Sequence, residues 1–223
     1  MIVLLAATLA AIAPAADSCP DLVTPDALIC RAIHAQGAGN TAAAAQAFEQ
    51  AALASSDKDP ATARMWAAAG NMWIAAAQYG KAALALDKAL AMPGLVAEQH
   101  GEALLDRARA AEALGDLKTA RAKLALAAHS IAADPFYWYF SAALAIREGD
   151  RATAQAAIGK ALALAPEDPM ILFEAGHVAQ FAGDEAKARD YWNRALATDP
   201  EGPVGKAARE ALKLLPAPLT VKN

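Results

Sequence analysis

Residues 135–168 read PFYWYFSAALAIREGDRATAQAAIGKALALAPED, and residues 169–202 read PMILFEAGHVAQFAGDEAKARDYWNRALATDPEG. The two 34-residue segments align without a gap. Each follows an aspartate, Asp134 or Asp168, and opens on a proline. Aspartate at that point offers an oxygen to the free amides of a helix start, and proline has no amide to waste in the first helical position. About a dozen residues later each segment carries Gly-Asp, at 149–150 and 183–184. Glycine accepts the left-handed conformation that ends a helix, and the aspartate after it can cap the next one. Pro166 or Pro200 then stops the second helix. The unit is helix–turn–helix.

The same register extends towards the N-terminus. Gly115-Asp116 precedes Gly149-Asp150 by 34 residues. Ala120, Ala154 and Ala188 form one column, Ala127, Ala161 and Ala195 another, with Leu124, Ile158 and Trp192 in the slot between. Two looser copies come earlier, one with Gly39, Ala44, Phe48 and Ala51, the next with Trp66, Gly70, Trp73, Ala82, Leu86, Ala89 and Pro93. About four extra residues follow each, around Ser55–Thr62 and Leu95–His100. The copies are therefore placed at 25–58, 63–96, 101–134, 135–168 and 169–202. Neither helix of a copy buries its apolar face alone, so neighbouring copies must stack into one continuous core. Residues 203–215 read as a final amphipathic helix: Ala207, Ala211, Leu212 and Leu215 cover the stack while Lys206, Arg209 and Lys213 face water.

Composition agrees with an all-α chain. It is 57% hydrophobic but only 6% aromatic, with much of the remainder alanine, the strongest helix former and the side chain that lets helices approach closely. Twenty basic against 24 acidic side chains give a net charge of −4. That balance, with no basic stripe, argues against nucleic acid and an anionic membrane surface as partners.

The period, the two-helix unit and the slots together resemble the tetratricopeptide repeat (TPR) family, whose motif is W-x2-L-G-x2-Y, then A-x3-F and a later A, then P. Trp66, Ala69, Gly70, Trp73, Ala82, Leu86, Ala89 and Pro93 carry it in the second copy; Leu172, Ala175, Gly176, Ala179, Ala188, Trp192, Ala195 and Pro200 carry it in the fifth. In the fourth, Trp138 holds the first large slot, with Ala142, Ala154, Ile158, Ala161 and Pro166. The resemblance spans 25–202. It departs at Arg31 and Ala32 in the first copy and at Arg107 and Ala132 in the third. It implies a right-handed α-solenoid whose concave face, lined by the first helix of each repeat, holds a peptide or protein segment. A subgroup that clamps chaperone C-termini uses lysine and asparagine where this chain has Ile29 and Ile33, so that clamp is not expected.

Ile2–Ala16 is uncharged and contains Ala13-Pro14-Ala15, an A-x-A cleavage pattern, in a run shorter than the ~20 apolar residues that span a bilayer. It reads as a signal peptide of residues 1–15, with an uncleaved anchor or a mis-assigned start codon as the alternatives. No membrane insertion is expected after cleavage. An N-terminal segment 16–24 and a tail 216–223 flank the repeats. An exported chain with two cysteines favours a Cys19–Cys30 disulfide; a buried thiol at Cys30 or a bridge between chains are the alternatives.

The sequence offers little that would carry catalysis. His34, His100, His129 and His177 lie far apart, and no phosphate-loop, dinucleotide or nucleophile-elbow motif occurs, so no catalytic, cofactor-binding or metal-ligating residues are assigned. The aromatic block Phe136–Phe140 wraps around its helix: Trp138 takes the inward slot, whereas Phe136 and Tyr139 fall on the concave face or add core packing between repeats. One period on, that stripe holds Met170, Phe173 and His177, with Phe181 a turn further. In the second and third copies it holds Arg64, Ala67 and Asn71, then Glu102, Leu105 and Arg109. The expected binding groove is therefore Phe136, Tyr139, Met170, Phe173, His177 and Phe181. The expected function is a non-enzymatic, periplasmic or secreted scaffold for a protein or peptide partner, in envelope assembly or protein maturation. The alternative is a structural solenoid that self-assembles into homo-oligomers.

Overall fold

The computed structural model describes residues 19–216, and residues 1–15, read as a signal peptide, lie outside them. Among the described residues the chain is all helix and connector, with no strand. The helices are α1 Pro25–Gly37, α2 Thr41–Ala54, α3 Pro60–Ala75, α4 Tyr79–Ala91, α5 Ala97–Ala113 and α6 Leu117–Ile131. They continue as α7 Pro135–Glu148, α8 Arg151–Leu164, α9 Pro169–Phe181, α10 Glu185–Thr198 and α11 Pro203–Leu214. Each helix packs on the next, and α3, α5, α7 and α9 also touch in succession, forming one side of the stack.

The five turns within repeats share one geometry. Gly39, Gly115, Gly149 and Gly183 have φ between +75° and +84°, and Ala77 takes the equivalent place at φ +55°. The amide that follows each of these positive-φ residues closes the same bond: Asn40 to the Ala35 carbonyl, Gln78 to Trp73, Asp116 to Ala111, Asp150 to Ala145 and Asp184 to Ala179, each at 2.9 Å. Asn40, Asp116, Asp150 and Asp184 then cap the second helix through a side-chain oxygen. Between repeats, Asp59, Asp134 and Asp168 cap helices that begin with proline.

The extra residues between the early copies are not all connectors. Pro60–Thr62 and Ala97–His100 belong to α3 and α5, which they lengthen at the N-terminus. Asp59-Pro60 supplies a helix start for α3, and the Gln99 side chain accepts from the Val96 amide before α5.

Alanine makes the close packing. Ala44, Ala51, Ala82, Ala89, Ala120, Ala127, Ala154, Ala161, Ala188 and Ala195 are all at 0% exposure. The slots between them hold Phe48, Leu86, Leu124, Ile158 and Trp192, the last four buried. At the C-terminal end, α11 seals the stack with Gly205 and Ala208, joined by Leu215 just past its end; Ala208 rather than Ala207 is fully buried. Asp199 fixes the entry angle, its carboxylate accepting from the amides of Val204 and Gly205. At the other end the structure joins Cys19 to Cys30, Cα atoms 5.7 Å apart, and Arg31 donates to the carbonyls of Pro20 and Leu22.

The aromatic block packs differently from the sequence expectation. Tyr137 and Phe140 are its buried members, set among Leu124, Ala127 and Ile131 of the preceding α6. Trp138 is only half-buried. Its indole N–H donates to the Ala132 carbonyl at 2.8 Å, and the Lys160 ammonium lies 3.9 Å from its ring centre. A repeat motif written for contacts inside one copy does not reveal the helix from the previous copy, and that helix takes the residues on either side of Trp138.

Candidate functional site

Successive first helices line an open hollow of about 480 Å³ on the inner side of the stack, between α1 and α7. Gln36 comes from α1, Arg64 and Asn71 from α3, Glu102 and Arg109 from α5, and Phe136 from α7. Residues three, four or seven apart on a helix share a face, so Arg64 and Asn71 align, as do Glu102 and Arg109. Asp106, a turn from both Glu102 and Arg109, ties the wall together. Its carboxylate accepts from Asn71 Nδ2 at 2.7 Å and from Arg109 Nη1 at 2.8 Å.

The wall changes character at α7. Arg109 stands 5.4 Å from the Phe136 ring centre, and Phe136 stacks on Tyr139 with centroids 5.1 Å apart and planes at 24°. Burial raises the Tyr139 hydroxyl pKa above the ordinary tyrosine value. The Glu174 and Asp168 carboxylates push the same way, and Arg109 opposes them. Tyr139 therefore feels α5 on one side and α9 on the other. On α9, Phe173 meets His177 edge-on at 4.4 Å, and Trp192 donates to the Phe173 carbonyl at 3.0 Å. Glu174 is buried, with His177 Nδ1 3.4 Å from its carboxylate.

The six groove residues expected from sequence therefore fall into groups. Phe136 and Tyr139 form one pair and Phe173 and His177 another. Met170 is exposed at the start of α9, and Phe181, at its end, has the Arg151 guanidinium 5.6 Å from its ring. Of the six, Phe136 lines the hollow. The hollow sits nearer the N-terminus, where α3 and α5 are about a turn longer and carry polar side chains. Asp106, Gln36 and Asp134, which help line it, lie outside the stripe read from the sequence. Asp106 shows no motif. Its position one turn from both Glu102 and Arg109 was the available signal.

No family model matches the chain, and no curated protein matches it. Solved structures do. One is YrrB, described as a TPR protein with an unusual peptide-binding site, 18% identical at a TM-score of 0.58, over 82% of this chain and 91% of YrrB. The chain has the tetratricopeptide-repeat fold. A second TPR structure, from Parabacteroides merdae, is 14% identical at a TM-score of 0.64, over 84% of this chain and 72% of that one. PilW, described as a widely conserved type IV pilus biogenesis factor, is 19% identical at a TM-score of 0.69, over 83% of this chain and 82% of PilW. In TPR terms, α1, α3, α5, α7 and α9 are the first helices of the repeats, and the hollow lies on the face they share.

Proposed function

We propose that this chain is an exported, non-enzymatic scaffold that binds a segment of another protein along the inner face of its TPR stack. The observation that carries the reading is the polar hollow that ends on the stacked Phe136–Tyr139 pair, with a second aromatic pair, Phe173 and His177, on the next first helix. Aromatic side chains supply most of the energy at binding hot spots, and a half-buried row of them beside a hollow suits an anchored segment. Two further features support an extracytoplasmic setting: the apolar Ile2–Ala16 run with its A-x-A pattern, and the Cys19–Cys30 bridge, which persists in oxidising compartments. The likeness in fold to PilW, a pilus biogenesis factor, supports a role in envelope assembly.

The test is capture from the native envelope by the full chain and by the Tyr139→Ala/Phe173→Ala variant. The variant is expected to remain helical by circular dichroism and to lose ~2 kcal/mol or more of binding free energy for the captured partner. Unchanged capture by a folded variant overturns the groove.

A further inference from the structure

The charges of the hollow are unequally satisfied. Of its two cations, Arg109 is held by Asp106, and Arg64 Nη1 is directed at the Gly94 carbonyl, 3.5 Å away. Of its three carboxylates, Asp106 has both oxygens engaged and Asp134 accepts from the Phe136 amide at 2.9 Å. Glu102 is exposed on the wall and has no hydrogen-bond or ion-pair partner among the described residues. Partial desolvation against the wall, then the charges of Glu98, Asp106 and Asp134, raise its pKa. Arg64 has no carboxylate partner among the described residues, but three carboxylates against two arginines leave the hollow net negative, and an acidic ligand would add to that charge. A cation would relieve it.

We propose that the hollow takes a basic, aromatic-anchored segment of another protein, with a lysine or arginine of that segment paired to Glu102 and its anchor seated against Phe136 and Tyr139. The inference rests on the groove reading above and adds the chemistry of the occupant. Neighbouring helices pack ~8–10 Å apart, and α5 and α7 touch directly. An extended chain advances ~3.3 Å per residue, so the basic residue stands about two or three positions from the anchor. Charge complementarity at such a rim acts mainly on association rate, salt dependence and choice of partner.

The experiment is selection from a displayed library of random twelve-residue peptides on the full chain, on Glu102→Lys and on Tyr139→Ala. Glu102 makes no contact that the fold needs, so its variant is expected to fold, and circular dichroism checks this. The native chain is expected to enrich lysine or arginine two or three residues from an aromatic. Glu102→Lys is expected to lose that basic preference, and Glu102→Gln to weaken a selected peptide about two- to fivefold, with a shallower salt dependence. Selected peptides with no basic residue or with an acidic one, lost in Tyr139→Ala, overturn the charge assignment and leave the groove standing. A basic preference that survives Glu102→Lys also overturns it. No enriched sequence on the native chain overturns both readings.

Discussion

Gly176 lies against the indole of Trp192 so closely that a Cβ on Gly176 would stand 2.2 Å from Trp192 Nε1. The same pair of slots in the second repeat holds Gly70 and Leu86, where a Cβ would stand 2.4 Å from Leu86 Cγ. In the third and fourth repeats alanine fills the first slot, opposite Leu124 and Ile158. At Gly70 and Gly176 the partner side chain occupies the space a Cβ would take, so the two slots are one packing decision.

Gly176→Ala should destabilise the C-terminal repeats by about 1–3 kcal/mol, because the indole is buried and its N–H is held by the Phe173 carbonyl. Adding Trp192→Leu recreates the Ala108–Leu124 pairing of the third repeat and should recover part of that loss. Urea unfolding of the single and double variants decides it. A single variant as stable as the native chain would show that the indole shifts freely.

Much of this packing was legible in the sequence. The Gly-Asp columns and the alanine columns mark turns and close helix contacts, and both are local or strictly periodic. Gly176 and Trp192 were each readable as slots, whereas their contact was not, because period alone does not say which slots face each other. Tyr137 and Phe140 were missed for a related reason: they pack on α6, which belongs to the previous copy. The stripe of groove residues followed from helical spacing, but the hollow did not. Its position depends on the longer α3 and α5, which begin in residues that looked like connectors.

The capping aspartates make a prediction about acid. Hydrogen bonds from Thr119, Thr153 and Lys187 to the charged carboxylates hold Asp116, Asp150 and Asp184 below the ordinary aspartate range. A carboxyl depressed in the folded state contributes stability that is complete above its unfolded pKa and is lost as pH falls through the lower folded value. These caps should therefore contribute fully at pH 5–7 and fade below about pH 4. Asparagine caps nearly as well but does not titrate. The stability advantage of the native chain over the triple Asp→Asn variant should shrink as pH falls from 5 to 2. Parallel stability curves for the two proteins would contradict the assignment.

The second repeat has the same turn with the wrong residues in it. Ala77 sits at φ +55°, a conformation in which its Cβ crowds the following carbonyl, whereas the four equivalent positions are glycine. Gln78 begins α4 without a side-chain cap bond, whereas the equivalent asparagine or aspartate elsewhere makes one. The backbone bond from Gln78 to Trp73 matches the other turns at 2.9 Å, so the surrounding fold imposes the geometry regardless of side chain. Ala77→Gly relieves the left-handed strain but gives the unfolded chain more freedom, for a net gain of about 0.5–1 kcal/mol. Gln78→Asp should add ~0.5–1 kcal/mol by capping the amides of α4. Together they restore the Gly-Asp pair of the later repeats. The double variant should unfold at a higher urea concentration with an unchanged slope, since nothing buried is altered. A lower midpoint would mean that the second repeat uses Ala77 or Gln78 for a contact absent from the other turns.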